Sequence, residues 1–245
     1  MWTPDKIKAK PRQMDFTSSG QSIVDVTSIY ADEELLVNAC ELIDLGKEAY
    51  QFIVCSHCGY AQCERGNWLT IGTVLDQVFF YPSFIDMEEG EWESSEYTPH
   101  YFTRTKGSMC LLNNAYAEIR KYLAGLPAAE KLKPVTSYEI ARILQWEASY
   151  RVLGNHPDPV LFNDRLFVTS SSENDQESLS EFQAVLKNLV ESNEHNFVPL
   201  TPEMEKISFF LEASDFIEWV PMVKHGSNYG IILNDSIGVF TQKNS

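Results

Sequence analysis

Apolar and polar residues alternate through residues 22–30 (SIVDVTSIY), and this period of two predicts a short strand carrying Ile23, Val24 and Val26. The pattern then changes. Asp32, Glu33 and Glu34 precede Leu35, Leu36, Ala39, Cys40 and Ile43, a spacing that predicts a helix ending at Gly46. Its acids would sit in the first turn, where they complement the helix dipole. Residues 50–54 read as a strand. Residues 68–73 and 77–81 read as the two arms of a hairpin across 74–76, stopped by Pro82, which has no amide to donate. A further strand is expected at 101–105.

Helical spacing returns at Leu111, Leu112, Ala115, Tyr116, Ile119, Tyr122, Leu123 and Leu126. Thr136 and Ser137 are good N-caps with Glu139 in the next turn, so a helix running to about Leu153 is expected, with Ile140, Ile143, Leu144 and Ala148 inside. Residues 154–159 (GNHPDP) break the chain. Beyond them, 160–169 reads as a hairpin turning at Asn163-Asp164. A helix follows from Ser178 or Ser180, with Leu179, Phe182, Val185, Leu186, Leu189 and Val190 on one face. Thr201-Pro202-Glu203 opens a short helix. Strands are expected at 218–223, 229–233 and 237–241, the last two joined through Asn234-Asp235. The sum is an α+β fold, antiparallel strands and hairpins packed with about five helices. Residues 1–20 read as a flexible N-terminal arm and 21–245 as one domain, or as two lobes, 21–153 and 160–245.

Composition narrows the function classes. With 44% hydrophobic residues and 14 Phe among 245, the chain can bury a sizeable core. Its formal charge is −16, from 35 acids against 19 bases. Nucleic acids and anionic membranes are held by Lys and Arg, so both are disfavoured as partners. A basic protein partner suits the charge, although simple solubility explains it equally. The densest acidic run, Asp86, Glu88, Glu89, Glu91, Glu93 and Glu96 around Trp92, is either a solvated loop or a docking surface anchored on the tryptophan. The N-terminus carries Lys6, Lys8, Lys10 and Arg12 without an apolar run behind them, unlike a secretory signal. No stretch approaches the ~20 apolar residues of a membrane-spanning helix. Together with five cysteines, three of them clustered, this points to the cytoplasm.

That cluster is Cys55, Cys58 and Cys63, spaced C-x2-C-x4-C, with Gly59 directly after the second cysteine. Thiolates are strong zinc ligands, and two at x2 spacing grip one ion from a tight turn that glycine accommodates. The three are candidate ligands for a structural zinc ion, with His57, His100, Cys110 or Cys40 as a fourth; a metal-free turn with buried thiols is the alternative. Cys40, on the predicted helical stripe, reads as a core thiol. His57, His100, His156, His195 and His225 are scattered, and neither a nucleotide-binding glycine loop nor a hydrolase or metalloprotease signature is present. No catalytic residue is assigned, and the expectation is a protein that is not an enzyme.

The segment Cys55-x2-Cys58-Gly59-x3-Cys63-x2-Gly66-x-Trp68, with its hairpin and the Tyr81-Pro82-Ser83-Phe84 exit, resembles small acidic bacterial proteins of the type encoded beside polymorphic toxins as immunity proteins. The resemblance covers about thirty residues. It implies binding and occlusion of a cognate, basic toxin inside the cell, and it carries over no interface residues. Two alternatives stand beside it: an enzyme of hydrolase type, such as one that reverses a toxin's modification, and a zinc-stabilised adaptor or scaffold.

Overall fold

A computed structural model of the protein describes residues 1–20, 22–43, 45, 49–60, 63, 68–83, 106–141, 143–144, 184, 188, 196–213 and 216–240. Among them, twelve strands form three antiparallel sheets, and the chain divides into two compact units, Trp2–Pro134 and, with Met1, Val135–Ser245. The expected α+β fold with about five helices is therefore corrected: strand dominates, and several stretches read as helix are extended.

In the first unit, β1 (Ile7–Asp15), β2 (Ile23–Ala31) and β3 (Glu34–Val37) form a sheet in that order. The stretch read as a flexible arm thus carries β1, which pairs with β2 from Ile7↔Ala31 to Asp15↔Ile23. Its lysines and Arg12 stay exposed while Met14 is buried. Lys8 meets Glu33 at 3.4 Å, and the Lys10 ammonium lies 4.6 Å from the Tyr30 ring centroid. β1 is an edge strand, and exposed Lys with Pro11 discourage another strand from adding to it.

The helix expected from Asp32 does not form. Asp32 adopts φ +53°, and the Asp32-Glu33 turn reverses the chain so that Ala31 faces Glu34. A left-handed residue cannot continue a right-handed helix, and aspartate tolerates it better than most side chains. Leu35, Leu36 and Val37 form a short apolar run of the kind that serves either element.

The second sheet is β4 (Tyr50–Gln51), β5 (Trp68–Val74), β6 (Gln77–Pro82) and β7 (Met109–Leu112), in chain order. The predicted hairpin is present, its turn at Leu75-Asp76 and its second arm ending at Pro82. Leu111 and Leu112, read as the start of a helix, complete β7 instead, and the helix α1 spans Asn113–Tyr122. Both sheets and α1 share one core. Ile29, Leu36 and Val37 from the first sheet meet Leu69, Ile71, Val78, Phe80 and Leu111 from the second and Tyr116 and Ile119 from the helix. The rings of Tyr50, Phe52, Phe80 and Tyr116 follow one another at centroid distances of 6.0, 6.1 and 5.9 Å. Fully burying a phenylalanine contributes about 1.5–3 kcal/mol, so this stack is a main source of the unit's stability.

In the second unit, Thr136 and Glu139 make a reciprocal capping box. The Thr136 amide donates to Glu139 Oε2 at 2.8 Å, and the Glu139 amide donates to Thr136 Oγ1 at 3.2 Å. Helix begins at residue 137, as expected, with Ile140, Ile143 and Leu144 buried. Residues 184 and 188 are also helical. A five-stranded sheet joins β8 (Asn196–Pro199), β9 (Glu205–Ala213), β10 (Phe216–His225), β11 (Asn228–Ile232) and β12 (Ile237–Phe240) in the order β8-β12-β11-β10-β9. The three closing strands were expected. The short helix at Thr201 was not realised: Thr201–Met204 is a turn closed by the Met204 amide on Thr201 O, and it feeds β9. Asn234 holds the last turn by accepting from the Ser236 and Ile237 amides. The expected strand at 101–105, break at 154–159 and hairpin at 160–169 lie outside the described residues.

Candidate metal centre

The cysteine knuckle rests on a polar clamp in the first unit. From β4 the chain continues through Phe52, Ile53 and Val54, all buried. Asn38, just after β3 and only 5% exposed, grips this segment. Its amide donates to Phe52 O at 3.3 Å and its Nδ2 to Val54 O at 2.7 Å, while the Val54 amide donates to its Oδ1 at 2.9 Å. Ser28 Oγ in turn donates to Asn38 O at 2.7 Å. The asparagine side chain thereby pairs with Val54 as a strand edge would, and it fixes the backbone immediately before Cys55. Beneath lies a small apolar cluster of Met14, Phe16, Val26, Ala39 and Val54.

Residues 55–60 close on themselves. The Gly59 amide donates to Cys55 O at 2.9 Å and the Cys55 amide to Tyr60 O at 3.1 Å; the Cys63 amide reaches the same Tyr60 carbonyl at 3.4 Å. Gly59 is required twice over. Its φ is +75°, and a Cβ there would stand 3.1 Å from Phe16 Cζ and 3.2 Å from Cε2.

This turn brings the three predicted ligands together. The Sγ atoms of Cys55, Cys58 and Cys63 all lie within 4.8 Å of one another, and the three could hold a metal ion. With a zinc–sulfur distance of ~2.3 Å, two thiolates on one ion stand at most about 4.6 Å apart, so small rotations suffice. The His57 amide donates to Cys55 Sγ at 3.4 Å. Without a metal, that N–H, and further bonds from Cys58 and Cys63, hold the Cys55 thiol below its ordinary pKa. Cys63 shows the opposite shift, up to about 11, because it donates its proton towards Cys58 and Cys55 and feels their charge. Cys55 and Cys63 thus each respond to the neighbouring thiols, and a soft cation would take over the arrangement by displacing their protons.

Of the expected fourth ligands, His57, Cys110 and Cys40 are not drawn in. Among the described residues, only the three cysteines make up the group. His57 is exposed and contributes its amide; Cys110 is buried in β7 opposite Phe79. Cys40, expected in the core of a helix, is half-buried in the 3-10 turn Cys40–Leu42, where burial and then Glu41 push its thiol up to about 12. His100 and the acidic run of Asp86, Glu88, Glu89, Glu91, Trp92, Glu93 and Glu96 lie outside the described residues. Two contributors escaped the sequence reading, Asn38 and Phe16. A lone asparagine inside the apolar run Leu35–Ala39 was the available signal for the first; Phe16 gave none.

No helix among the described residues is long and apolar enough to cross a membrane. Comparison of the chain with models of protein families, with curated proteins and with solved structures finds no match.

Proposed function

We propose that this chain is an acidic binding protein without catalytic activity, stapled by a zinc ion on Cys55, Cys58 and Cys63, that occludes a basic protein toxin in the manner of an immunity protein. The observation that carries the zinc is the convergence of three Sγ atoms within 4.8 Å on a turn whose amide already points at one of them. Thiolates select soft or borderline cations, and zinc is the commonest partner of a Cys-x2-Cys turn. When bound, the ion supplies cross-linking of the turn. Cys55, Cys58 and Cys63 would hold it, and Gly59 and Asn38 keep the turn in place. A site of this kind supports a surface.

The formal charge of −16 supports the partner's chemistry. Acids outnumber bases both within 2–134 and within 135–245, so attraction for a basic partner does not depend on 86–96 alone. Complementary charge accelerates encounter and rejects partners of the same sign, and salt weakens it. The test is co-expression with the toxin encoded alongside the chain. Growth should be restored and a stoichiometric complex recovered, with an association rate that falls as salt rises. Reversing the charges of 86–96 should slow association if that run docks. Neither rescue nor complex would remove the binding reading, and metal-free protein from a zinc-replete preparation would remove the zinc.

A further inference from the structure

We infer that the knuckle is also an oxidation switch: a hydroperoxide joins Cys63 to Cys58 or Cys55 in a disulfide, and the zinc leaves. This rests on the zinc reading only for the metal; the disulfide stands on the thiol geometry. Three features of the described residues favour it. The Sγ atoms lie within 4.8 Å of one another. A disulfide needs ~2.05 Å, a closure within reach of a cysteine rotamer change. The access is graded: Cys63 is exposed, Cys55 and Cys58 are half-buried, and Cys110 is fully buried. Oxidation follows exposure, which sets the knuckle apart from Cys110 in the core. The tethering is graded too. Cys55 is held through its amide, its carbonyl and its sulfur, whereas the Cys63 backbone is tied among the described residues by one 3.4 Å bond from its amide to Tyr60 O.

The chemistry balances without a further reagent. Cys63 gives up its proton as its sulfur attacks one peroxide oxygen; an S–O bond forms, the O–O bond breaks, and the departing hydroxide takes up that proton as water. The neighbouring thiolate then attacks the sulfenic sulfur. The S–S bond forms, and the S–OH oxygen leaves as a second water. Two thiols lose two electrons, and one hydrogen peroxide becomes two waters. The metal's donor set falls from three sulfurs to one, and a single thiolate no longer chelates it. A dithiol reductant reverses the exchange.

The test uses the zinc-loaded full chain and one equivalent of hydrogen peroxide. Expected are loss of two of the five thiols, release of the bound zinc to a chromophoric chelator in step with that loss, and a bridge mapped by mass spectrometry to Cys63. Dithiothreitol with added zinc should restore the starting state. Cys63→Ser should slow thiol loss at least tenfold. A bridge at Cys40 or Cys110, oxidation to sulfinic acid without a bridge, or Cys63→Ser reacting like the parent would each overturn the inference. Zinc retained after the bridge forms would also overturn it while leaving the zinc site standing. A bridge at Cys63 in a chain that never takes up zinc would uphold the disulfide and remove the metal.

Discussion

Gly59 and Asn38 decide whether the knuckle exists, and both act through the backbone. Gly59→Ala meets left-handed strain of about 1–2 kcal/mol together with the Phe16 ring 3.1 Å from the new Cβ. Destabilisation of roughly 2 kcal/mol or more is expected in denaturant unfolding, with weakened metal uptake. A neutral result would show that the turn is not held against Phe16. Asn38→Ala orphans the buried Val54 amide and carbonyl, each costing about 1–3 kcal/mol. It should therefore lower stability without touching any metal ligand, and unfolding at saturating zinc reads this directly. The thiols set the pH response. Cys55 has a lowered folded pKa, so its contribution is present above the unfolded thiol value of about 8.5 and is lost as pH falls through the lower folded one. Cys63 runs the other way, its contribution present below about 8.5 and lost as pH rises towards about 11. Zinc must displace the protons of these groups, so affinity should fall steadily as pH drops from about 8 to about 6. Chelator competition across that range measures it, and a flat profile would argue against thiolate ligation.

Among the elements, the β2–β3 turn shows where pattern and geometry part. Asp32 sits at φ +53°, its Oδ1 accepts the Lys6 amide at 3.0 Å, and its own amide donates to Lys6 O at 2.8 Å. One residue thus reverses the chain and anchors the start of β1. Asp32→Val should cost roughly 2 kcal/mol, because a branched side chain resists that φ and the carboxylate is lost; Asp32→Gly gives up only the hydrogen bond and should cost clearly less. Equal costs in thermal unfolding would show that the backbone conformation is not what matters. This turn also explains why the sequence was misread. Three acids before an apolar run satisfy the rule for a helix start, and nothing local reveals a left-handed aspartate. Leu111 and Leu112 were drawn into the helix for a similar reason: their spacing fits α1, but Cys110 and Leu111 pair with β6. Where the signal is chemical and local it was legible, as in the alternation of β2, the hairpin of β5 and β6, the Thr136–Glu139 box and the Cys-x2-Cys-Gly turn. Where long-range pairing decides, as for β1 against β2, it was not.

At the scale of the whole molecule, the metal and the chain's division make one joint prediction. The large core and the cluster under the knuckle lie within Trp2–Pro134, whereas Met204, Val223 and Phe240 form a cluster within Val135–Ser245. All three candidate ligands belong to the first unit. An ion that binds only the folded state stabilises it by RT ln(1 + [L]/Kd), about 2.7 kcal/mol at a hundredfold excess over Kd. That stabilisation should reach only the unit that holds the ion. Calorimetry of the full chain should resolve two transitions, of which chelation lowers one and leaves the other in place. The lowered one should disappear from a chain limited to 135–245. It should persist, still responsive to chelator, in one limited to 2–134, which has its own core and both of its sheets. A single transition that moves as a whole would mean that the two units unfold cooperatively, and the zinc would then be a staple for the entire chain.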